Sequence, residues 1–235
     1  MENHTQLMTI EPRLQTEDLV TLLGGTKGHR LSRSLNRRVK SLKSKVRGLL
    51  IPRLYYRTTK LTTQAKGTVL LDNEIVFKSS KLSKTLKHSK ESVCFVGTVG
   101  RGVEREINRL MRRNSLADAY IVDVLGSVAV ENMVEQFQRH MERKYRERHK
   151  STTLRFSPGY CDWPITEQKK LFRVFDRREI DVDLLDSCLM CPRKSISGIF
   201  GVASNTRPPY NPCAHCNKLD CEARRHPYQP TRSLG

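Results

Sequence analysis

The segment LRFSPGYCDWP, residues 154 to 164, holds an arginine, two prolines, a glycine, a tyrosine and the only tryptophan of the chain. Its prolines and glycine exclude the middle of a helix or of a regular strand, because proline lacks a backbone N–H and glycine favours turns. We therefore expect a strand that ends near Arg155, a turn at Pro158-Gly159 and a helix after Pro164.

The side chains of this segment suggest a binding site. Arg155 is flanked by apolar residues, so on a strand it points away from them, and its planar guanidinium suits a carboxylate. Gly159 allows another molecule to approach the backbone closely, and Tyr160 and Trp163 add flat apolar surfaces. This combination suits a small zwitterion that carries an aromatic base. The alternative is that Arg155 pairs with a carboxylate of the protein itself and that the turn only connects a strand to a helix.

Apolar periodicity predicts helices and strands on both sides of this segment. A basic amphipathic helix is expected from Leu31 to Leu49, and a long helical region over residues 116–147, whose Gly126-Ser127 marks either close packing or a break. Strands are predicted by alternating apolar residues, with a hairpin at 68–77 and further strands at 92–100, 180–192 and 195–204. Helices interspersed with short strands and hairpins indicate an α+β domain with a mostly antiparallel sheet.

We divide the 235-residue chain into three segments. Residues 1–66 are expected to form N-terminal helices, including the basic amphipathic helix. Residues 67–206 are expected to form the α+β core, and residues 207–235 a tail rich in cysteine, proline and arginine. No apolar run approaches the length of a membrane span, and the N-terminus lacks the pattern of a secretion signal.

The net charge of +19 is concentrated in one region. Residues 19–71 contain thirteen lysines and arginines and no acidic residue. This distribution suits a polyanion or an acidic partner, although a solvated helix face with a basic arm would show the same composition. An alternative function is therefore a basic metal-binding module that contacts nucleic acid through residues 27–66 and the arginine-rich tail.

Seven cysteines, an odd number with most of them near the C-terminal end, favour metal ligation in a reducing compartment over a disulfide framework. We expect the cytoplasm. Cys213, Cys216 and Cys221 have the spacing of ligands to one zinc ion or an iron–sulfur cluster, with Cys191 as the fourth ligand. Cys188 would face the other side of the predicted strand. The alternative is that these cysteines are free thiols.

The chain resembles the activation domain of cobalamin-dependent methionine synthase. The resemblance rests on RFSPGYCDWP, the helix that follows it and IDVDLLDSCLMCPRKSISG, and it extends over roughly residues 75–222. That family has an Arg-x-x-x-Gly-Tyr-x-x-x-Pro segment and a later Pro-x-x-Ser-x-Ser-Gly run. The positions that match here without a gap are Arg155, Gly159, Tyr160, Pro164, Pro192, Ser195, Ser197 and Gly198.

The resemblance implies a single α+β domain with a bent antiparallel sheet that binds S-adenosylmethionine. It implies that the protein presents the methyl group to inactive cob(II)alamin on a corrinoid-binding methionine synthase or related methyltransferase, with one electron from a flavodoxin-like donor. The protein would thus be a free-standing component of methionine synthase activity. By residue matching, Arg155 would take the methionine carboxylate, and Gly159, Tyr160 and Asp162 would line the adenine and ribose side. The chain shows no Asp-x-His-x-x-Gly signature, so cobalamin is expected on the partner.

Overall fold

Nine strands and five helices make up the part of the chain that the computed structural model describes, which is residues 4–15, 19, 22–23, 31–62, 67–204, 211, 213–214, 219 and 227–229. The strands are β1 (Gln6–Met8), β2 (Arg53–Thr62), β3 (Thr68–Leu71), β4 (Val76–Lys78), β5 (Ser89–Thr98), β6 (Ser151–Thr152), β7 (Asp183–Leu184), β8 (Met190–Cys191) and β9 (Ser195–Ala203). The helices are α1 (Arg33–Arg47), α2 (Ser80–Leu86), α3 (Gly102–Arg112), α4 (Leu116–Arg146) and α5 (Gln168–Phe172), and a 3-10 turn at Ile165–Glu167 precedes α5.

Seven of these strands form one antiparallel sheet in the order β4-β3-β2-β5-β9-β6, with β1 also paired to β2. The three long strands lie side by side, so that Tyr55 of β2 faces Val96 of β5, which faces Ser197 of β9. β1 and β3 pair with opposite ends of β2, along the edge that β5 leaves free. The predicted α+β class and the mostly antiparallel sheet are confirmed.

The sheet separates two hydrophobic cores. Along β5, Phe95 faces the core formed with α1, α3 and α4, whereas Val96 faces the core formed with the β3–β4 hairpin, α2 and α5. This alternation follows from the two-residue period of a strand. The first core contains Phe137 of α4 and Phe200 of β9, whose ring centroids lie 6.0 Å apart. The second core receives the segment at residues 156–182.

The long helix α4 confirms the predicted helical region and is continuous through Gly126. A Cβ atom at Gly126 would lie 2.7 Å from Val103 of α3, so this glycine allows two helices to pack closely and does not mark a break. Five apolar residues that follow one another at helical intervals of three and four along α4 are all buried: Val130, Val134, Phe137, Met141 and Tyr145.

The other predicted elements in the N-terminal half are also present. α1 begins after Ser32, whose hydroxyl accepts a hydrogen bond from the backbone N–H of Leu35, and it ends at Gly48. β3 and β4 form the predicted hairpin, with Asp72 in the turn between them. Residues 53–62 form a central strand of the sheet, so the segment expected to form N-terminal helices also contains β1 and β2. The division of the chain at residues 66 and 206 remains a prediction.

The single strand predicted over residues 180–192 is wrong. Two short strands, β7 and β8, pair with each other around a turn, and Cys188 in that turn has a φ of 65°. The left-handed conformation of Cys188 interrupts the extended backbone between β7 and β8. A pattern of apolar residues in the sequence does not reveal such an interruption. Cys188 and Cys191 therefore do not occupy opposite faces of one strand. In the described residues, no helix is long and apolar enough to cross a membrane.

Candidate functional site

The segment at residues 153–164 is attached to the edge of β9. The backbone N–H groups of Phe156 and Ile199 each donate to the other residue's carbonyl, over 2.8 and 2.9 Å. The backbone N–H of Thr153 donates to the carbonyl of Gly201 at 2.9 Å, and the Thr153 hydroxyl accepts from the N–H of Gly201 at 2.9 Å. β9 thus fixes the position of the whole segment.

Arg155 points away from Phe156, as predicted, and its guanidinium is buried against α4. Nη1 donates to Glu135 at 2.7 Å and to Gln138 at 3.1 Å, and Nη2 donates to Glu131 at 3.1 Å. The side chain of Arg155 is only 5% exposed. The structure therefore shows the alternative that the sequence left open, in which Arg155 pairs with carboxylates of the protein itself. Its role in ligand binding remains a prediction.

The Arg155 cluster, which consists of Arg155, Glu131, Glu135 and Gln138, is open to solvent on its acidic side. The side chains of Glu131 and Glu135 are 51% and 42% exposed. Partial burial raises the pKa of the Glu135 carboxyl, but hydrogen bonds and charge from Arg155 and Arg139 outweigh this effect and hold the pKa below its usual value. A buried cation is thus bordered by two carboxylates that solvent can reach.

The turn after Arg155 is compact. Gly159 has a φ of +92°, a left-handed conformation that glycine adopts readily, and its N–H donates to the carbonyl of Trp163 at 2.8 Å. The Tyr160 side chain is 45% exposed at the surface of this turn. Gly159 and Tyr160 therefore both lie at the surface of the turn, and their roles in binding a ligand remain predictions.

Trp163 does not offer a surface to a ligand, in contrast to the expectation from the sequence. It is buried, and its ring packs edge-on against Phe77 at 5.2 Å and stacks on Phe156 at 5.8 Å. The turn closes over the second core and carries Trp163 inward, because burial of so large an apolar ring is strongly favourable. Trp163 anchors the segment from inside.

Asp162 connects the segment to α2. Its carboxylate accepts hydrogen bonds from the Ser79 hydroxyl at 2.5 Å and from the backbone N–H of Lys81 at 3.1 Å. Both donors lie at the N-terminus of α2, where free N–H groups favour an acidic side chain. Asp162 therefore has a structural role as a cap, and its predicted contact with the ribose side of a ligand remains a prediction.

The cysteines predicted as metal ligands are only partly described. Cys191 lies in β8, and the backbone N–H of Cys213 donates to the side chain of Asn211. Cys216 and Cys221 lie outside the described residues, and among the residues within them no group of three or more potential ligands is found. The zinc or iron–sulfur site therefore remains a prediction. Cys94 is buried in β5, where burial raises the pKa of its thiol to about 12.

The acceptors on α4 were missed by the sequence interpretation. Glu131, Glu135 and Gln138 follow one another at intervals of four and three residues, so they lie along one helix face. That spacing was visible in the sequence, but nothing in it indicated that Arg155 packs against this face. The site thus combines one wall from the segment after β6 with a second wall from α4.

Comparisons with known proteins agree with this architecture. The family model described as "Vitamin B12 dependent methionine synthase, activation domain" matches residues 83–225. The chain is also similar to the crystal structure of the MetH reactivation domain bound to AdoHcy, with a TM-score of 0.62 and 14% identity over 88% of this chain and 81% of that one. A search of curated proteins found no match.

The fold and the Arg155 segment define an activation-domain architecture. Since the family model covers more than half of the chain, the protein belongs to the activation-domain family of vitamin B12-dependent methionine synthase.

Proposed function

We propose that the protein binds S-adenosylmethionine and supports the reductive remethylation of cob(II)alamin on a partner corrinoid methyltransferase, acting as a free-standing activation domain in methionine synthesis. Membership of the family and the AdoHcy named with the similar MetH reactivation domain support this proposal. The main supporting observation is the Arg155 cluster, in which a buried guanidinium is paired with two partly exposed carboxylates. This cluster lies inside the region that the family model matches.

The charges of the Arg155 cluster complement those of S-adenosylmethionine. The ligand carries a carboxylate, an ammonium group and a sulfonium group, and so has a net charge of +1 at neutral pH. Arg155 with Glu131 and Glu135 has a net charge of −1. The ligand carboxylate would replace Glu131 on the guanidinium, and the released Glu131 would accept the ammonium group. Such exchange keeps every charge paired in a partly buried site.

The turn would hold the nucleoside half of the ligand. Tyr160 presents a half-exposed ring on which adenine can stack, and Gly159, in a left-handed conformation beside it, sets the direction of the turn. Asp162 is engaged at α2, so its contribution would be to hold the turn in place.

The partner would be a corrinoid-binding methionine synthase or a related methyltransferase. The partner's cobalamin supplies the cobalt that accepts the methyl group when a flavodoxin-like donor provides one electron. The residues of this chain would bind and orient the methyl donor and leave its sulfonium side toward the partner.

Calorimetry with S-adenosylmethionine tests the proposal. We expect Arg155→Ala to weaken binding by about tenfold or more, because the carboxylate loses a charged, buried donor. A suitable control is Arg178→Ala, which removes an 89% exposed arginine with its own carboxylate partner. If Arg155→Ala is poorly folded, Glu131→Gln replaces it, since Glu131 is half-exposed. Absence of binding to the wild type, or equal binding by wild type and both site variants, would contradict the proposal.

A further inference from the structure

A line of exposed cations runs along α1. Val39 and Val46 of α1 are buried in the first core, whereas Arg37, Lys40 and Arg47 are exposed to solvent. Two other cations of this helix are neutralised, since Arg38 pairs with Asp118 and Lys45 with Glu106. The three outer cations have no carboxylate within 4.0 Å among the residues that the structure describes.

The line continues from α1 into two adjoining grooves. One groove of about 540 Å³ is lined by residues that include Arg47, Arg13 and Gln136. The second, of about 640 Å³, shares Arg13 and Gln136 and extends along the C-terminal half of α4 to Arg143 and Arg146. We call the whole surface the basic track and define it by Arg37, Lys40, Arg47, Arg13, Arg143 and Arg146.

The length of the basic track favours a polymer over a small anion. At 1.5 Å per residue, the stretch from Arg37 to Arg47 and the stretch from Gln136 to Arg146 each span about 15 Å, so the track is about 30 Å long. Of the residues that line the two grooves, only Glu11 and Glu142 are acidic. A surface this long and this uniformly cationic suits a regular array of negative charges.

The composition of the basic track identifies the kind of polymer. Neither groove has a tryptophan, tyrosine or phenylalanine among its lining residues. Protein interfaces are usually anchored by such residues, and single-stranded nucleic acid binds by stacking its bases on them. The planar guanidinium of arginine instead suits a phosphate, which it can bind through two hydrogen bonds. A duplex presents a regular array of phosphates, while the faces of its bases stay stacked inside it.

We propose that the basic track binds the sugar–phosphate backbone of a nucleic acid duplex without reading its sequence. The site differs from the one expected from sequence, because it uses residues of α4 and of the segment before α1, and not the arginine-rich tail. None of the residues that define the basic track belongs to the Arg155 cluster, although Arg139 of the second groove donates to Glu135 of that cluster at 3.1 Å, and the proposal does not rest on the proposed methyl-donor function.

Fluorescence anisotropy with a labelled duplex of about 20 base pairs tests this proposal. The track variant Arg37→Gln/Lys40→Gln/Arg47→Gln/Arg143→Gln removes four cations. The control variant Lys84→Gln/Lys87→Gln/Lys90→Gln/Arg177→Gln also removes four exposed cations, but from other surfaces. Because both variants have the same net charge, any difference between them reflects position. Circular dichroism and urea titration establish that both variants are folded.

We expect the wild type to bind duplex at about 50 mM salt and its affinity to fall steeply as salt rises. The track variant should bind at least about tenfold more weakly at this salt, and the slope of log K against log salt should become shallower by about 3. The control variant should resemble the wild type. The proposal is overturned if the wild type does not bind duplex, or if both variants lose affinity equally. Tighter binding of poly-glutamate than of duplex would also overturn it and identify a surface for acidic proteins.

Discussion

Phe156 and Ile199 exchange two backbone hydrogen bonds, of 2.8 and 2.9 Å, and so attach the Arg155 segment to the central strand β9. This pairing explains why the Arg-x-x-x-Gly-Tyr segment and the Ser-x-Ser-Gly run occur together in the sequence. The second motif forms the strand beside which the first is held, and its glycine, Gly198, leaves room for the backbone of Phe156. The two motifs are one structural unit.

Replacement of Gly198 should disrupt this unit. A Cβ atom there would lie 2.9 Å from the carbonyl oxygen of Phe156 and 2.8 Å from the ring of Phe95. We expect Gly198→Ala to lower the free energy of unfolding by about 1 to 3 kcal/mol in urea titrations, through overpacking. Gly48→Ala is the matched control, since its Cβ would have its nearest neighbour at 3.6 Å. Equal stability of the two variants would show that the contact at Gly198 relaxes without cost.

Glu131→Gln should weaken the binding of S-adenosylmethionine more than that of S-adenosylhomocysteine, because the two ligands differ in charge. If Glu131 receives the ammonium group beside the sulfonium, its neutralisation should weaken S-adenosylmethionine binding by about fivefold, and should weaken S-adenosylhomocysteine binding less, because that ligand lacks the second positive charge. Calorimetry with both ligands measures the difference. Glu179→Gln, at an exposed position, serves as the control. An equal loss for both ligands would mean that Glu131 does not sense the sulfonium charge.

Asp162→Ala should reveal whether Asp162 acts mainly as a cap. Loss of its bonds to Ser79 and Lys81 is expected to lower the free energy of unfolding by about 1 kcal/mol, as for other N-terminal caps. Asp186→Ala removes a fully exposed carboxylate and should leave stability unchanged. Calorimetry measures whether Asp162→Ala also weakens the binding of S-adenosylmethionine. A loss of S-adenosylmethionine affinity without a loss of stability would instead assign Asp162 a direct role at the ligand.

Much of the fold could be predicted because local patterns determine it. The apolar face of α4 repeats at helical intervals over eight turns, and β9 is a short run of small and apolar residues that is buried almost throughout, as expected of a central strand. The strand at residues 53–62 was not recognised, since its three cations resemble the basic segment before it. The position of Trp163 was also not predictable, because a turn has no periodicity that tells which side chains are buried.

Only one wall of the site could be predicted from the sequence, because only that wall consists of residues close together in the chain. Arg155, Gly159 and Tyr160 are close together in the sequence and carry a recognisable spacing. Glu131 and Glu135 meet Arg155 only because the chain returns past α4 on its way to β9. A single sequence records that Glu131 and Glu135 share a helix face, but not which residue that face will meet.

Glu106 lies in α3 beneath α1. Its carboxylate accepts hydrogen bonds from Arg109 at 2.8 and 2.6 Å, and it pairs with Lys45 of α1 at 2.8 Å. The hydrogen bond from Arg109 is the main cause that lowers the pKa of Glu106 to about 2, against the opposing effect of burial. Glu106 is therefore ionised in the folded protein at any pH well above that value.

Since the folded-state pKa is below that of an unfolded glutamate, about 4.3, the stabilisation by Glu106 is fully present above that pH and is lost as pH falls toward the folded-state value. We expect Glu106→Gln to lower the free energy of unfolding by about 1 to 2 kcal/mol near neutral pH, because two cations lose their charged acceptor. The difference from the wild type should shrink below about pH 4 in urea titrations over a pH series. The exposed control Glu147→Gln should show neither effect. A difference between Glu106→Gln and wild type that stays constant down to the acid limit would indicate that packing, and not charge, is what Glu106 contributes.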